Sequence, residues 1–253
     1  MTNRDDLVAA CDRLLEPQRF RDYTVNGLQV AGAERITRVM TGVTACQALL
    51  DEAVTWGADL VLVHHGYFWK NEPVTVTGIK RRRLATLLAH DINLLAYHLP
   101  LDAHATLGNN AELGRRLGFT VTGCADGEIG DGLVWLGETR SGLDAMGLAR
   151  NVAACLGREP LLIEAPTGGE IRQIAWCTGG AQDMIASARE AGADAFISGE
   201  ISERTTHLAR EMGIHYVAAG HHATERYGVQ ALGEWLATTF GLEHRFVDID
   251  NPA

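Results

Sequence analysis

Residues 5–16 set Leu7, Val8, Cys11, Leu14 and Leu15 at helical spacing, and Pro17 stops the helix. The period then changes. Residues 36–43 read as a strand. Residues 45–56 return to helical spacing, with Leu49, Leu50, Ala53 and Val54 on the inner face and Gly57 as the closing cap. The apolar run at 59–63 predicts the next strand, and strand, helix, strand is the βαβ signature of a parallel sheet. A helix at 82–90 and a strand at 92–98 continue the series.

The same order returns later in the chain: strand 171–177, helix 182–191, strand 195–197, helix 203–212 and strand 214–219, then a helix from His221 to about 239. The triplet Gly57-Ala58-Asp59 recurs as Gly192-Ala193-Asp194. Either an old duplication or two unrelated α/β halves would produce this pattern. Between the halves, residues 118–142 are rich in Gly, Asp and Thr and lack a helical period, so they read as a linker with short strands such as 133–136. The expected fold class is α/β, with two α/β domains of mainly parallel βαβ units. The first, 1–124, carries His64, His65, His98 and Asp102. The second, 125–253, carries His221 and Glu225, with the C-terminal segment open to packing on the first domain.

Composition narrows the function classes. A chain of 253 residues, 46% apolar and 21% charged, buries an ordinary globular core. Its net charge of -10 argues against general attraction to nucleic-acid phosphates. Cys11, Cys46, Cys124, Cys155 and Cys177 are scattered, with no Cys-x-x-Cys pair, as expected of reduced thiols. The polar N-terminus and the lack of an apolar run near ~20 residues predict a soluble, cytoplasmic protein with no membrane role.

The candidate chemistry sits where strands end. His64 and His65 close the run at 59–63 and precede Gly66, while His221 and His222 follow the strand at 214–219. Strand exits in open α/β sheets face the crevice that binds ligands, and neutral imidazole is the commonest metal ligand. His98 with Asp102, and Ser198-Gly199-Glu200, stand at two further exits. If the halves face each other, these exits converge on a metal site in the cleft between the domains. Zinc, iron and manganese accept such imidazole and carboxylate ligands. Adjacent histidines on an extended segment are expected to point apart. His221 and Glu225, four apart on a helix, share a face, and a carboxylate such as Glu225 can bridge two cations. Each has a plainer explanation as well: Asp102 as a turn residue after Pro100, Glu225 as a favourable charge at a helix start, Glu200 as a surface acid. Lys80-Arg81-Arg82-Arg83 opens a helix as a solvated face, with phosphate binding as its functional alternative. There is no Gly-x-x-x-x-Gly-Lys loop, Gly-x-Ser-x-Gly elbow or His-Glu-x-x-His helix.

Seven separated segments then carry a resemblance. Thr41-Gly-Val-Thr-Ala with Gly57-Ala-Asp, His64-His-Gly-Tyr-Phe-Trp69, His98-Leu-Pro-Leu-Asp102, Gly108-Asn-Asn110, Ser198-Gly-Glu200 and Gly220-His-His-Ala-Thr-Glu225 resemble, in order and over essentially the whole chain, the NIF-three-like family. Its members are named GTP cyclohydrolase 1 type 2 homologues, and the likeness is to the short, YbgI-type bacterial branch. The resemblance implies a dinuclear metal centre between two α/β domains and a toroidal homohexamer. Its ligands would be His64, His65, Asp102, His221 and Glu225, with Glu225 as the bridge and His222 following the matching histidine. His98 would be a further ligand or an outer partner.

The leading expectation is a hydrolase with two divalent ions per chain (Zn, Fe or Mn). It would act on a small polar substrate such as a nucleotide, with His98 or Glu200 moving protons. The alternatives are a noncatalytic metal-handling or hexameric scaffold protein, and a ring that contacts nucleic acid through the 80–83 run, which the net charge opposes.

Overall fold

The structure, a computed structural model, describes residues 1–166 and 168–253, Ser141 through its backbone alone. Two compact units divide the chain: Met1–Leu101 with Gly228–Asp250, and Asp102–Tyr227 with Asn251–Ala253. The division falls at Leu101, not near residue 124, and Asp102 belongs to the second unit. The reason lies in packing. Leu113 and Leu117 on the helix Asn109–Leu117, together with Phe119, join a core with Trp135 and Trp176, and the strand Thr120–Cys124 pairs with Trp135–Leu143.

The first unit holds a five-stranded sheet in the order Glu243–Phe246, Arg38–Thr44, Leu60–His65, Asn93–Ala96, Gly27–Val30. The first four strands are mutually parallel and the last is antiparallel. Alternation along the central strand explains its uninterrupted apolar run. Leu60 and Leu62 pack with Leu7, Cys11, Leu15, Val229, Leu232 and Leu236, whereas Val61 and Val63 pack with Leu49, Leu50, Ala53, Leu84 and Leu87. A strand covered on both faces has no polar side to show.

The second unit has six strands in the order Thr120–Cys124, Trp135–Leu143, Ile171–Cys177, Ala195–Ser198, His215–Ala218, Leu161–Ile163. The central three are parallel, and the flanking strands are antiparallel. The α/β class is as expected, with parallel strands in both sheets. The expected linker at 118–142 is instead an antiparallel pair that extends this sheet.

The repeated Gly-Ala-Asp triplet performs the same local work in both units. Gly57 and Gly192 adopt φ of 72° and 88° at helix ends. Ala58 and Ala193 are buried. One oxygen of Asp59 accepts from the backbone N–H groups of Thr37 and Arg38 at 2.7 and 2.9 Å, and one oxygen of Asp194 accepts from those of Arg172 and Gln173 at 2.9 Å each. Each aspartate thus ties its own strand to the start of the preceding one. All five cysteines are free. Among the described residues no helix is long and apolar enough to cross a membrane.

Candidate metal centre

The strand Leu60–His65 runs through both histidines, so His64 and His65 are its last residues and do not lie beyond it. Their rings do not diverge: the centroids lie 4.5 Å apart, tilted by 41°. His98, just after the neighbouring strand Asn93–Ala96, brings its ring within 5.0 Å of His64 and 5.7 Å of His65. Each of the three offers a ring nitrogen within 4.8 Å of the other two.

The opposite nitrogens are engaged. Buried His64 donates from Nδ1 to the Tyr97 carbonyl at 2.9 Å, which leaves Nε2 as its acceptor nitrogen. His65 Nδ1 lies 3.4 Å from Thr44 Oγ1. His98 Nδ1 lies 2.9 Å from Asp22 Oδ1. Asp22 is itself clamped by the backbone N–H groups of Tyr23 and Leu99 and by the Asn26 amide, while Asn26 Oδ1 accepts from the backbone of His98. Burial alone would raise the Asp22 carboxyl, but the His98 contact and these donors outweigh it and lower it to about 2. Tyr23 and Trp69 stand edge-on to the His98 ring at 5.1 Å each. Asp22 was not among the residues expected from the sequence. It lies 76 positions from His98, in a loop with no periodic signal.

In the second unit, Glu225 falls at a break between the helices His221–Thr224 and Arg226–Phe240, so the helix expected from His221 is interrupted at that residue. The i, i+4 relation survives: His221 Nε2 lies 3.2 Å from Glu225 Oε2. The other ring nitrogen, Nδ1, lies 2.7 Å from Glu200 Oε1. Glu200 therefore touches the outer edge of a candidate ligand. Burial would depress the His221 imidazole, yet Glu225 and Glu200 together push it up to about 9. Asp102 is buried, and its Oδ1 accepts from Asn109 Nδ2 at 2.8 Å and from Thr178 Oγ1 at 3.2 Å. Asp102 and Glu225 each offer a carboxylate oxygen within 4.8 Å of the other. His222 turns its backbone N–H to the carbonyl of Ala253.

Gly179 makes the pocket around Glu225 possible. It has φ of 70°, and a Cβ there would collide with Glu225 Oε1 and come within 3.3 Å of His221 Nε2. Only a residue without a side chain lets the backbone after Ile171–Cys177 pass this close. In the sequence it looked like an ordinary turn glycine.

Each of these two groups has donors suited to a transition-metal ion. Three imidazoles in one unit have their outer nitrogens on a carbonyl, a hydroxyl and a carboxylate, the arrangement that orients histidine ligands. Two buried carboxylates and a histidine in the other supply the harder donors that zinc, iron and manganese also accept.

Residues 2–252 match the family model described as Duf34/NIF3 (NGG1p interacting factor 3), which bears out the resemblance in the motifs. The chain is 56% identical over 247 residues to a GTP cyclohydrolase 1 type 2 homolog of Pseudomonas aeruginosa, covering 98% of this chain and 97% of that one. It is also 56% identical over 240 residues to the protein of the same name in Escherichia coli K12, covering 94% and 95%. Among solved structures it superposes on one described as protein ybgI, of unknown function, with a TM-score of 0.95, 51% identity and full coverage of both chains. TTHA1606 from Thermus thermophilus gives 0.85 at 32% identity, again with full coverage of both chains.

Proposed function

The chain belongs to the Duf34/NIF3 family, and from that premise we propose that it is a metal-dependent hydrolase acting on a nucleotide or related small polar substrate. The observation that carries the proposal is the triad of His64, His65 and His98, with three imidazoles converged and their outer nitrogens engaged. A protein gathers such donors at a cost in desolvation and side-chain entropy that a bound cation offsets. His64, His65, Asp102, His221 and Glu225 would hold two divalent ions of the zinc, iron or manganese class. When bound, such ions supply a water of lowered pKa and charge to polarise substrate oxygens.

The remaining steps belong to the chain. Asp22 holds the His98 ring with Nε2 toward the other two histidines, as a further ligand or, where it binds no ion, as the group that takes or returns a proton. Glu200 orients His221 through its Nδ1. Tyr23 and Trp69 limit the water around His98. The name carried by the relatives points to nucleotide ring opening as the first chemistry to try, and the assembly to look for is a homohexamer.

Elemental analysis of protein purified without chelator, as wild type and as Glu225→Gln, tests the site. The expected result is about two equivalents of metal per chain, halved or lost in the variant. Wild type that holds no metal, even after addition of zinc, manganese or iron, overturns it. Metal that is retained but supports no turnover across nucleotide, phosphoester and cyclic amide panels would favour a metal-handling or scaffold role.

A further inference from the structure

The basic run at 80–83 has no part in the metal centre, yet it borders an open pocket. Tyr67, Glu72, Pro73, Thr75, Thr77, Ile79, Lys80 and Arg83 line an open pocket of about 410 Å³, within the range of small-molecule sites. The cavity lies entirely within the first unit, between the segment that follows His65 and the first turns of the helix Gly78–Ala89.

Its charged groups are not equivalent. Lys80 is already engaged: Nζ donates to the Pro73 carbonyl at 3.1 Å, lies 3.6 Å from Glu72, and sits 5.1 Å from the centre of the Phe68 ring. Glu72, the one carboxylate in the lining, is spent on that lysine. The Tyr67 hydroxyl is likewise committed, donating to the Ala45 carbonyl at 2.8 Å. Arg83 differs. Its Nε is buried, and no hydrogen bond or ion pair joins its guanidinium to any described residue. Arg81 and Arg82 are exposed on the same helix. A buried Nε–H with no protein acceptor is costly unless something else accepts from it. Thr75 and Thr77 also line the pocket, and the positive end of the twelve-residue helix Gly78–Ala89 begins beside them.

We propose that this cavity is an anion subsite for a small phosphorylated ligand, with Arg83 as its gripping residue. The planar guanidinium presents paired N–H groups that match two phosphate oxygens, a geometry lysine cannot copy. The threonine hydroxyls donate to the remaining oxygens, while the Lys80–Glu72 pair closes the rim. The proposal stands apart from the metal centre, since none of the metal-site residues lines the cavity.

Titration calorimetry on the full chain, with pyrophosphate and inorganic phosphate as probes and acetate as the singly charged control, tests it. Wild type is expected to bind pyrophosphate in preference to acetate. Arg83→Gln should weaken that binding by about tenfold or more, as loss of a charge-assisted pair implies. Arg82→Gln removes the same charge from an exposed position on the same helix and should change affinity less than about twofold. Arg83→Lys keeps the charge, guards against a folding defect in the glutamine variant, and should still lose most of the affinity. Binding that survives Arg83→Gln but disappears in Glu225→Gln would assign the anion to the metals and overturn the proposal. Equal losses in Arg82→Gln and Arg83→Gln would reduce the run to diffuse surface charge, and no binding of either phosphate probe would end it.

Discussion

Given over to Asp22, the His98 Nδ1–H fixes both the tautomer and the tilt of that ring, so Nε2 is the atom His98 brings to the other two histidines. Carboxylates in this outer position commonly change metal affinity by about 10–100-fold when removed. Asp22→Asn keeps the size and some of the hydrogen bonds but removes the charge. Its expected effect is at least about a tenfold loss in metal affinity by chelator competition, with the melting curve still cooperative. An unchanged affinity would show that His98 lies outside the metal's reach. His64, His65, His221 and Glu225 stood out in the sequence as candidates because each stands next to an apolar run that marks a strand, or in helical register with a residue that does, while Asp102 entered as a ligand through the family resemblance. Asp22 and Gly179 were not. One depends on a contact across 76 positions, and the other on a close backbone approach that no single-sequence pattern encodes. Glu200 was singled out for proton transfer, whereas its carboxylate is found on the outer nitrogen of His221.

Among the secondary-structure elements, the two Gly-Ala-Asp corners solve the same problem. A helix must end, the chain must turn, and the next strand must enter in register beside the one before. A single aspartate oxygen does the aligning by accepting two backbone N–H groups at the start of the preceding strand. Asp59→Ala and Asp194→Ala should each lower unfolding free energy by about 1–3 kcal/mol, read by denaturant melts. A loss below about 0.5 kcal/mol in either would mean that water replaces that carboxylate at no cost. The parallel strands were readable for a related reason: buried on both faces, they appear as unbroken apolar runs. The segment 118–142 was misread because it breaks that rule. Thr120, Val121 and Thr122 are all exposed on an edge strand, so neither alternation nor a continuous run marks the pairing with Trp135–Leu143.

For the whole molecule, the chain is divided unevenly. The second unit is continuous from Asp102 to Tyr227 and adds only the last three residues, whereas the first unit draws its core from both ends of the sequence. Leu7, Cys11 and Leu15 pack with Val229, Leu232 and Leu236, and Glu243–Phe246 pairs with Arg38–Thr44. Removal of residues 241–253 should therefore expose Arg38–Thr44 to hydrogen exchange by orders of magnitude, while Ala195–Ser198 keeps most of its protection. Uniform loss across both strands would show that the units unfold as one.

That uneven division has a consequence for biosynthesis. Within the first unit, the helix made earliest waits longest for all its neighbours. Helix Arg4–Leu15 leaves the exit tunnel more than two hundred residues ahead of the leucines that complete its core. Throughout that interval its apolar face must be held by transient contacts or by a chaperone, while the second unit has nearly all of its own sequence already at hand.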